Sequence, residues 1–189
     1  VKNETKISEG PTSLAAAAIR VARNINGELT SCNGLIFGLD ETAIFLAEQF
    51  EQAGVKKFIT AASAEFYSKN PNVLKADLQL EARSQLIANS DVALICNNDT
   101  NYTITKKMVS SALRLRKYKP LFIIDLGVPG AVEPSVESLD AAFVYNLENL
   151  EQLAVEGIEK RVVEKQKAEG IILEELETFY LRPPNRDIG

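Results

Sequence analysis

The chain has 189 residues, of which 46% are apolar and 25% charged, and its formal net charge is −5. This composition is that of a soluble globular protein with one ordinary domain and an appendage. The acidic balance argues against a dedicated nucleic-acid-binding protein, although it leaves room for a locally basic face. Histidine is missing, which excludes a Ser-His-Asp or Cys-His mechanism confined to this chain. The apolar runs are far too short to span a bilayer, so we expect no membrane partner.

Cys32 and Cys96 are the only cysteines, and they show neither CxxC nor metal-ligand spacing. We therefore predict no metal site and interpret both as reduced structural thiols of a cytoplasmic protein. The chain does not begin with methionine and shows no signal peptide, from which we expect a fragment of a longer protein.

The first 54 residues contain the most informative pattern. A polar loop over 1–11 precedes an alanine-rich helix, predicted from a cap at Thr12 or Ser13 to about Asn24. The apolar run Leu35–Phe37 then predicts a buried parallel strand. Gly38 follows it, and apolar residues recur at helical spacing from residue 43 until a glycine at 54 ends the helix. A strand, a tight turn and a helix in this order open a dinucleotide-binding fold.

The turn departs from the usual fingerprint G-x-G-x-x-G/A, which would place small residues at 38, 40 and 43. Gly38 and Ala43 fit, but Asp40 replaces the middle glycine, where backbone approaches the pyrophosphate. Asp40 is also a good N-cap and would then occupy the helix N-terminus itself. We predict that Gly38, Leu39, Asp40 and Glu41 face the cofactor.

The second strand is predicted at Lys57–Ala61, and its end would face the adenosine ribose. An acidic residue there would hold a 2′-hydroxyl, and an arginine would accept a 2′-phosphate. The chain has neither, so Ser63 is our candidate contact. Glu65 would reach the ribose only from a frayed helix start, and the alternative is an ordinary surface glutamate.

The middle of the chain predicts two more strands. A short third strand at Asn72–Leu74 precedes a helix at Leu78–Ala88 and a fourth strand at Asp91–Cys96. Asn97 and Asn98 follow that strand, and ligands bind beyond the carboxyl ends of strands in open α/β sheets. These two residues are candidate walls of the site, or serve only as turn residues.

A basic helix follows, predicted from a cap at Thr105 to about Tyr118. Favourable charge at a helix C-terminus on a solvated face explains its cations, and the alternative is a patch facing RNA or phosphate. The cations are Lys106, Lys107, Arg114, Arg116, Lys117 and Lys119.

Two strands and one long helix complete the predicted elements. The strands are Leu121–Leu126 and Phe143–Tyr145, and Gly127 opens a rigid Gly-Val-Pro-Gly loop between them. From Leu147 to about Leu181 apolar residues recur at helical spacing among dense charge. A helix of about 35 residues is about 50 Å long. Because a domain of this size needs less, we expect the helix to reach another domain or a second chain.

Together these elements predict an α/β fold. The sheet is doubly wound, parallel and Rossmann-type, with five or six strands in the order 3-2-1-4-5-6 and a long C-terminal helix. We assign the nucleotide-binding domain to residues 1–146, the connecting helix to 147–181 and a tail to 182–189.

Four stretches resemble the glutamyl-tRNA reductase family. The most specific begins with Pro120-Leu-Phe-Ile-Ile-Asp-Leu-Gly-Val-Pro129 and continues through Glu133-Pro134 and Leu139-Asp140 to Tyr145-Asn-Leu-Glu-Asn-Leu150. The others are residues 5–13 with the alanine helix after them, 54–57 and 105–109. The resemblance extends to about residue 181.

The resemblance implies a three-domain oxidoreductase of tetrapyrrole (heme) biosynthesis. NADPH bound by this domain would reduce a thioester, formed from glutamyl-tRNA on a cysteine of an upstream domain, to glutamate-1-semialdehyde. The long helix would lead to a C-terminal domain that makes a homodimer. Neither Cys32 nor Cys96 stands at the position of the family's catalytic cysteine, so no catalytic residue is assigned to this chain.

The departures from the family lie on the ligand side. The family's glycine-alanine-glycine turn is Gly38-Leu39-Asp40, its Asn-Arg-Thr after strand two is Ala62-Ser63-Ala64, and its Arg-Asp after strand five is Gly130-Ala131. Because the arginine that would pair with a 2′-phosphate is missing, we expect weak NADPH binding by this segment. The alternative hypothesis is a degenerate Rossmann module with a structural or regulatory role.

Overall fold

Alternating strands and helices form a parallel sheet covered on both faces in the computed structural model, which describes residues 10–61, 80–97 and 101–181. The strands are β1 (Gly34–Phe37), β2 (Ile59–Ala61), β3 (Val92–Ile95), β4 (Leu121–Asp125) and β5 (Ala142–Asn146). The helices are α1 (Pro11–Asn26), α2 (Glu41–Gln52), α3 (Leu80–Ala88), α4 (Lys106–Leu115) and α5 (Leu147–Leu181), with short 3-10 turns at Leu29–Ser31 and Pro134–Ser138.

The described strands are ordered β2-β1-β3-β4-β5, and every neighbouring pair is parallel. This is the predicted Rossmann-type order without its third strand, and the prediction of that strand at 72–74 falls outside the described residues. The strand order reverses between β1 and β3. A crevice at the carboxyl ends of these two strands is where such sheets bind ligands.

The strands β1, β3 and β4 are buried along their whole length. Helices cover both faces of the sheet, so continuous apolar runs replace alternation of polar and apolar residues. The side chains form two apolar clusters, one containing Ile36, Leu94 and Phe122 and the other Leu35 and Ile123.

Helix α1 begins earlier than the sequence indicated. Pro11 occupies its first turn and Gly10 the N-cap position, without a side-chain cap. The prediction of a cap at Thr12 or Ser13 is therefore wrong, because proline fixes the helical φ at the first position and needs no N–H there. The helix continues to Asn26 and ends at Gly27, whose φ is +74°.

Helix α4 is capped as predicted but is shorter. The Thr105 hydroxyl accepts a hydrogen bond from the Met108 N–H at 3.3 Å. The helix ends at Leu115 instead of Tyr118, because Lys117 and Tyr118 have left-handed φ values of 53° and 59°.

Arg116 is buried, with 7% of its surface exposed, which corrects both interpretations of the basic helix for this residue. Its guanidinium links the end of α4 to the start of β3 and is paired with Asp91 Oδ1 at 2.8 Å. It also donates to backbone carbonyl oxygens of Ala88, Ser90, Lys119 and Pro120. The other five cations of the predicted group are exposed.

Helix α5 is the predicted 35-residue helix, Leu147–Leu181. Its first turns pack on the domain through Leu150 and Ala154, which are buried. Arg20 of α1 donates to the Leu153 carbonyl oxygen at 3.1 Å, and its Nη1 lies 2.7 Å from where a Cβ on Gly157 would stand. Every residue from 159 to 171 is exposed. No described helix combines the length and the apolar composition that a bilayer crossing requires.

Candidate functional site

The crevice between β1 and β3 is built around Gly38. Gly38 is buried, has φ +85° and donates its N–H to the Ala61 carbonyl oxygen at 2.8 Å. Only glycine adopts this φ without strain, and the space beside its Cα is already taken. The Asn97 side-chain oxygen stands where a Cβ would lie, so any larger residue would displace it.

Asn97 lies between two glycines at this edge of the sheet. Its side chain contacts Gly38 at the end of β1, and its backbone oxygen lies 2.8 Å from the place of a Cβ on Gly127, beyond β4. Three of the predicted cofactor contacts are thus brought together across the carboxyl ends of β1, β3 and β4. Asn98 and Ser63, together with Glu65, fall outside the described residues.

The other three predicted contacts form the turn into α2. Leu39 is half-buried, whereas Asp40 and Glu41 are exposed. Asp40 stands at the N-cap position with extended backbone (φ −150°, ψ 146°), but its side chain accepts no hydrogen bond from the helix. The alternative in which the carboxylate caps the helix is therefore wrong for this conformation. The first amide groups of α2 lie at the crevice together with the Asp40 charge.

Ala43 fulfils the packing role of the third fingerprint position. It is fully buried in the apolar cluster that holds Ile36 and Phe50. A small residue at this point lets the helix pack closely on the strand. The fingerprint position that lets the helix pack on the strand is therefore preserved, while the position that approaches the ligand is altered at Asp40.

Cys96 is adjacent to the crevice but is not a nucleophile. Its Sγ donates to the Phe37 carbonyl oxygen at 3.1 Å. Burial, and then the negative charge of Asp40, raise the pKa of the Cys96 thiol to about 12. The nucleophilic form of cysteine is the thiolate, so Cys96 stays inert near neutral pH. Burial likewise raises the pKa of Cys32, with a further contribution from the Asp91 charge.

The loop after β4 is organised by Asp125, which the sequence analysis did not single out. Its carboxylate is 9% exposed and accepts hydrogen bonds of 3.0–3.1 Å from the N–H groups of Gly127, Ala131 and Val132. The signal was an acidic residue near the end of an apolar run, two residues before the Gly-Val-Pro-Gly sequence. A buried carboxylate needs donors, and a tight loop supplies backbone N–H groups.

A second carboxylate joins this loop to α4. Glu133 accepts hydrogen bonds from the Ser135 hydroxyl and, at 2.9 Å, from the Lys106 N–H in the first turn of α4. These two bonds lower the pKa of the Glu133 carboxyl, the bond from Ser135 contributing most. The loop beside the crevice is thus fixed at both ends. Among the described residues no group of three His, Cys, Asp or Glu side chains is placed to hold a metal ion.

Comparisons with known proteins agree with this geometry. Residues 20–153 match the family described as shikimate / quinate 5-dehydrogenase. The glutamyl-tRNA reductase of Rhodospirillum rubrum is 33% identical over 186 residues, which are 95% of this chain and 42% of that protein. The chain therefore spans less than half the length of the curated relatives it matches.

Solved structures give the same result. Glutamyl-tRNA reductase from Methanopyrus kandleri superposes with a TM-score of 0.71 at 29% identity, over 94% of this chain and 45% of that one. The nucleotide binding domain of glutamyl-tRNA reductase from Thermoplasma volcanium matches at a TM-score of 0.53 and 14% identity, over 78% of this chain and 95% of that one, which supports the fold alone. The resemblance that the sequence predicted is confirmed. The chain belongs to the shikimate / quinate 5-dehydrogenase family, and along 95% of its length it is similar to glutamyl-tRNA reductases.

Proposed function

We propose that this chain is the NADPH-binding domain of a glutamyl-tRNA reductase. The observation that supports this most is the combination of chain-wide similarity with a crevice in which Gly38, Asn97 and Gly127 meet. In this role the chain holds the reductant, and the acyl chemistry belongs to the rest of the protein. NADPH, when bound, supplies the hydride that reduces a thioester to an aldehyde.

The backbone of the crevice fits a dinucleotide. Gly38 turns the chain away from β1 with a φ of +85°, and α2 begins three residues later without a side-chain cap. The N-terminal amide groups of a helix bind phosphate oxygens and carry the positive end of its dipole. Leu39, Asp40 and Glu41 would hold the pyrophosphate through backbone N–H groups, with Asn97 and Gly127 forming the opposite wall.

The charge of Asp40 opposes the same ligand. Its carboxylate is exposed at the start of α2, beside the place for the pyrophosphate, and two like charges repel there. Solvent screens this repulsion, so the site retains affinity but binds weakly. We infer a cofactor that binds and leaves readily.

The whole enzyme would act on glutamyl-tRNA through domains beyond residues 1–146, with residues 147–181 as the connecting helix and 182–189 as a tail. The exposed segment 159–171 supports a second copy as partner, because its Val162, Val163 and Ile171 side chains are about half exposed. The two free cysteines are consistent with a reducing cytoplasmic location.

Titration calorimetry with NADPH on this chain tests the proposal. We expect saturable binding that Gly38→Ala abolishes, because the new Cβ would collide with Asn97 and strain a φ of +85°. Gly170→Ala is the matched control, since a Cβ there has open space. Thermal unfolding of both variants separates lost binding from lost folding. NADPH binding that is absent in the wild type, or unchanged in a folded Gly38→Ala variant, would contradict the proposal.

A further inference from the structure

The opposite edge of the sheet, at the amino ends of the strands, contains a cavity of about 850 Å³. Loops that lead into β1, β3 and β4 line it, and helices α1, α3 and α4 end beside it. The cavity is polar, with side chains of Asn26, Asn33 and Asn89 in its wall. Nothing in the cofactor site uses this edge, because the crevice lies at the carboxyl ends.

Free cations surround the cavity. Lys117 and Lys119 line it after α4 and are exposed. On the other side Lys56, before β2, donates its N–H to the Cys32 carbonyl oxygen at 3.0 Å, and its charge lowers the pKa of the Cys32 thiol against the raising effect of burial. Lys57 beside it is exposed as well. A chain with a net charge of −5 thus presents several lysines at one edge.

The described carboxylates at this edge of the sheet do not form ion pairs with those lysines. Asp91 is paired with buried Arg116 at 2.8 Å and accepts the Asn33 N–H at 2.8 Å. Glu28 is exposed and accepts a hydrogen bond from the Thr30 hydroxyl at 3.3 Å. None of the ion pairs within the described residues involves Lys56, Lys117 or Lys119.

Tyr118 stands between two of these lysines with 63% of its surface exposed. Lys117 and Tyr118 both adopt left-handed backbone, at φ 53° and 59°, a conformation that side chains with a Cβ rarely take. Two such residues in succession present a lysine and an aromatic ring on the rim of the cavity. A strained backbone that displays exposed side chains is a reason to look for a binding role.

We propose that this edge binds the sugar-phosphate backbone of RNA. Lys56 precedes β2, whereas Lys117 and Lys119 precede β4. Because β1 and β3 lie between those strands, the two groups of lysines are about 14 Å apart at the spacing of neighbouring strands. A single phosphate cannot contact both groups, whereas a polynucleotide offers a phosphate at each step. Tyr118 would stack on an unpaired base. The proposal rests on the proposed function, in which tRNA is the substrate, and assigns this edge as a tRNA contact.

The test measures binding of an unmodified glutamate tRNA transcript to the 189-residue chain by fluorescence anisotropy from 50 to 300 mM salt. The variant combines Lys56→Gln, Lys117→Asn and Lys119→Gln, with asparagine chosen because it tolerates the left-handed conformation. We expect affinity at low salt to fall at least tenfold. The slope of log K against log salt should drop by about two, since each lost phosphate contact removes roughly 0.7–0.9.

Two further variants make the result specific. Lys107→Gln combined with Lys160→Gln and Lys165→Gln removes the same charge from exposed positions elsewhere, and we expect binding to fall less than twofold. Tyr118→Asn should weaken binding severalfold and leave the salt slope unchanged, because stacking releases no counterions.

Equal loss in both lysine triples would overturn the proposal, as would a transcript that binds the first triple as tightly as wild type. Lysine-dependent binding to phosphatidylserine vesicles without RNA binding would overturn it in favour of a membrane surface. NADPH titration on the same variants separates the two ideas. If NADPH binds and RNA binding does not depend on the edge lysines, this inference alone is refuted. If the wild-type chain binds neither NADPH nor RNA, the proposed function is refuted as well.

Discussion

Arg116 Nη2 and Asp91 Oδ1 are 2.8 Å apart in an ion pair whose arginine side chain is only 4% exposed. The guanidinium also satisfies four carbonyl oxygens where α3 and α4 end and where β3 and β4 begin. One residue therefore joins the ends of α3 and α4 to the starts of β3 and β4.

We predict that Arg116→Met lowers the free energy of unfolding by about 3 kcal/mol, because it leaves a carboxylate and several carbonyl groups without their donor. With a urea dependence of about 2 kcal/mol per molar, the unfolding midpoint should fall by about 1.5 M. Arg114→Met is the control, since Arg114 is exposed two residues earlier, and it should shift the midpoint by less than about 0.3 M. Similar midpoints for the two variants would show that the buried cluster contributes little.

Asp40→Asn should raise the affinity for NADPH about fivefold, as expected for removal of a solvent-screened charge worth about 1 kcal/mol near the pyrophosphate. Asparagine keeps the size and the N-cap preference of aspartate, so the turn should stay intact. Titration calorimetry measures the change, and Glu48→Gln, at an exposed position of the same helix, should have no comparable effect. Unchanged affinity in Asp40→Asn would mean that the carboxylate does not face the ligand.

Thiol reagents should react with Cys96 at pH 8 only as fast as the protein opens, because burial raises its pKa to about 12 and removes the thiolate. The Cys32→Ala variant isolates this thiol, and the same variant in denaturant supplies the rate for an accessible cysteine. Rapid labelling of the folded variant would contradict the buried position.

The same raised pKa has a consequence for stability. The folded state holds the Cys96 proton more tightly than the unfolded state, whose ordinary value is 9.0. The contribution is therefore complete below pH 9 and is lost as pH rises from about 9 towards 12. Cys96→Ala should be less sensitive to alkali than wild type over that range in thermal unfolding.

Self-association should depend on the exposed part of α5. Val162→Ser with Val163→Ser removes apolar surface that is 49% and 48% exposed, and we expect sedimentation equilibrium to show a weaker dimer. Glu164→Ser with Lys165→Ser changes two neighbouring exposed residues and should leave the association constant within about twofold. A wild-type chain that remains monomeric at 100 µM or so would rule out this helix as sufficient for pairing.

Strand order and helix type were predictable because the signals were local or periodic. Apolar runs placed β1, β3 and β4 within one or two residues, and Thr105 marked the start of α4 through its cap. The ends of helices were harder to predict. Pro11 took the first position of α1 in place of a hydroxyl cap, and no sequence signal indicated that Lys117 and Tyr118 would adopt left-handed backbone.

The fate of individual charged residues depended on tertiary position. Six cations near α4 looked equivalent in sequence, yet Arg116 alone among them is buried, because carbonyl groups from α3 and its own loop converge on it. Asp125 had a detectable signal, an acidic residue near the end of an apolar run, but its donors are backbone N–H groups two, six and seven residues further on. The contact of Asn97 with Gly38 required the parallel register of β1 and β3.

Asp125 also makes the electrostatic character of the carboxyl edge of the sheet different at its two ends. In the loop after β4, the N–H groups of residues 127, 131 and 132 donate hydrogen bonds to the Asp125 carboxylate and are not free to bind a ligand. This end of the edge therefore carries a buried negative charge. The amide groups that begin α2 supply the opposite polarity beyond β1. The backbone polarity of the edge therefore favours one direction for an elongated ligand with a phosphate segment and an uncharged or cationic ring, and the exposed Asp40 carboxylate at the start of α2 reduces this preference. In that direction the phosphates would lie toward β1 and the ring toward β4, and the backbone alone would supply the preference.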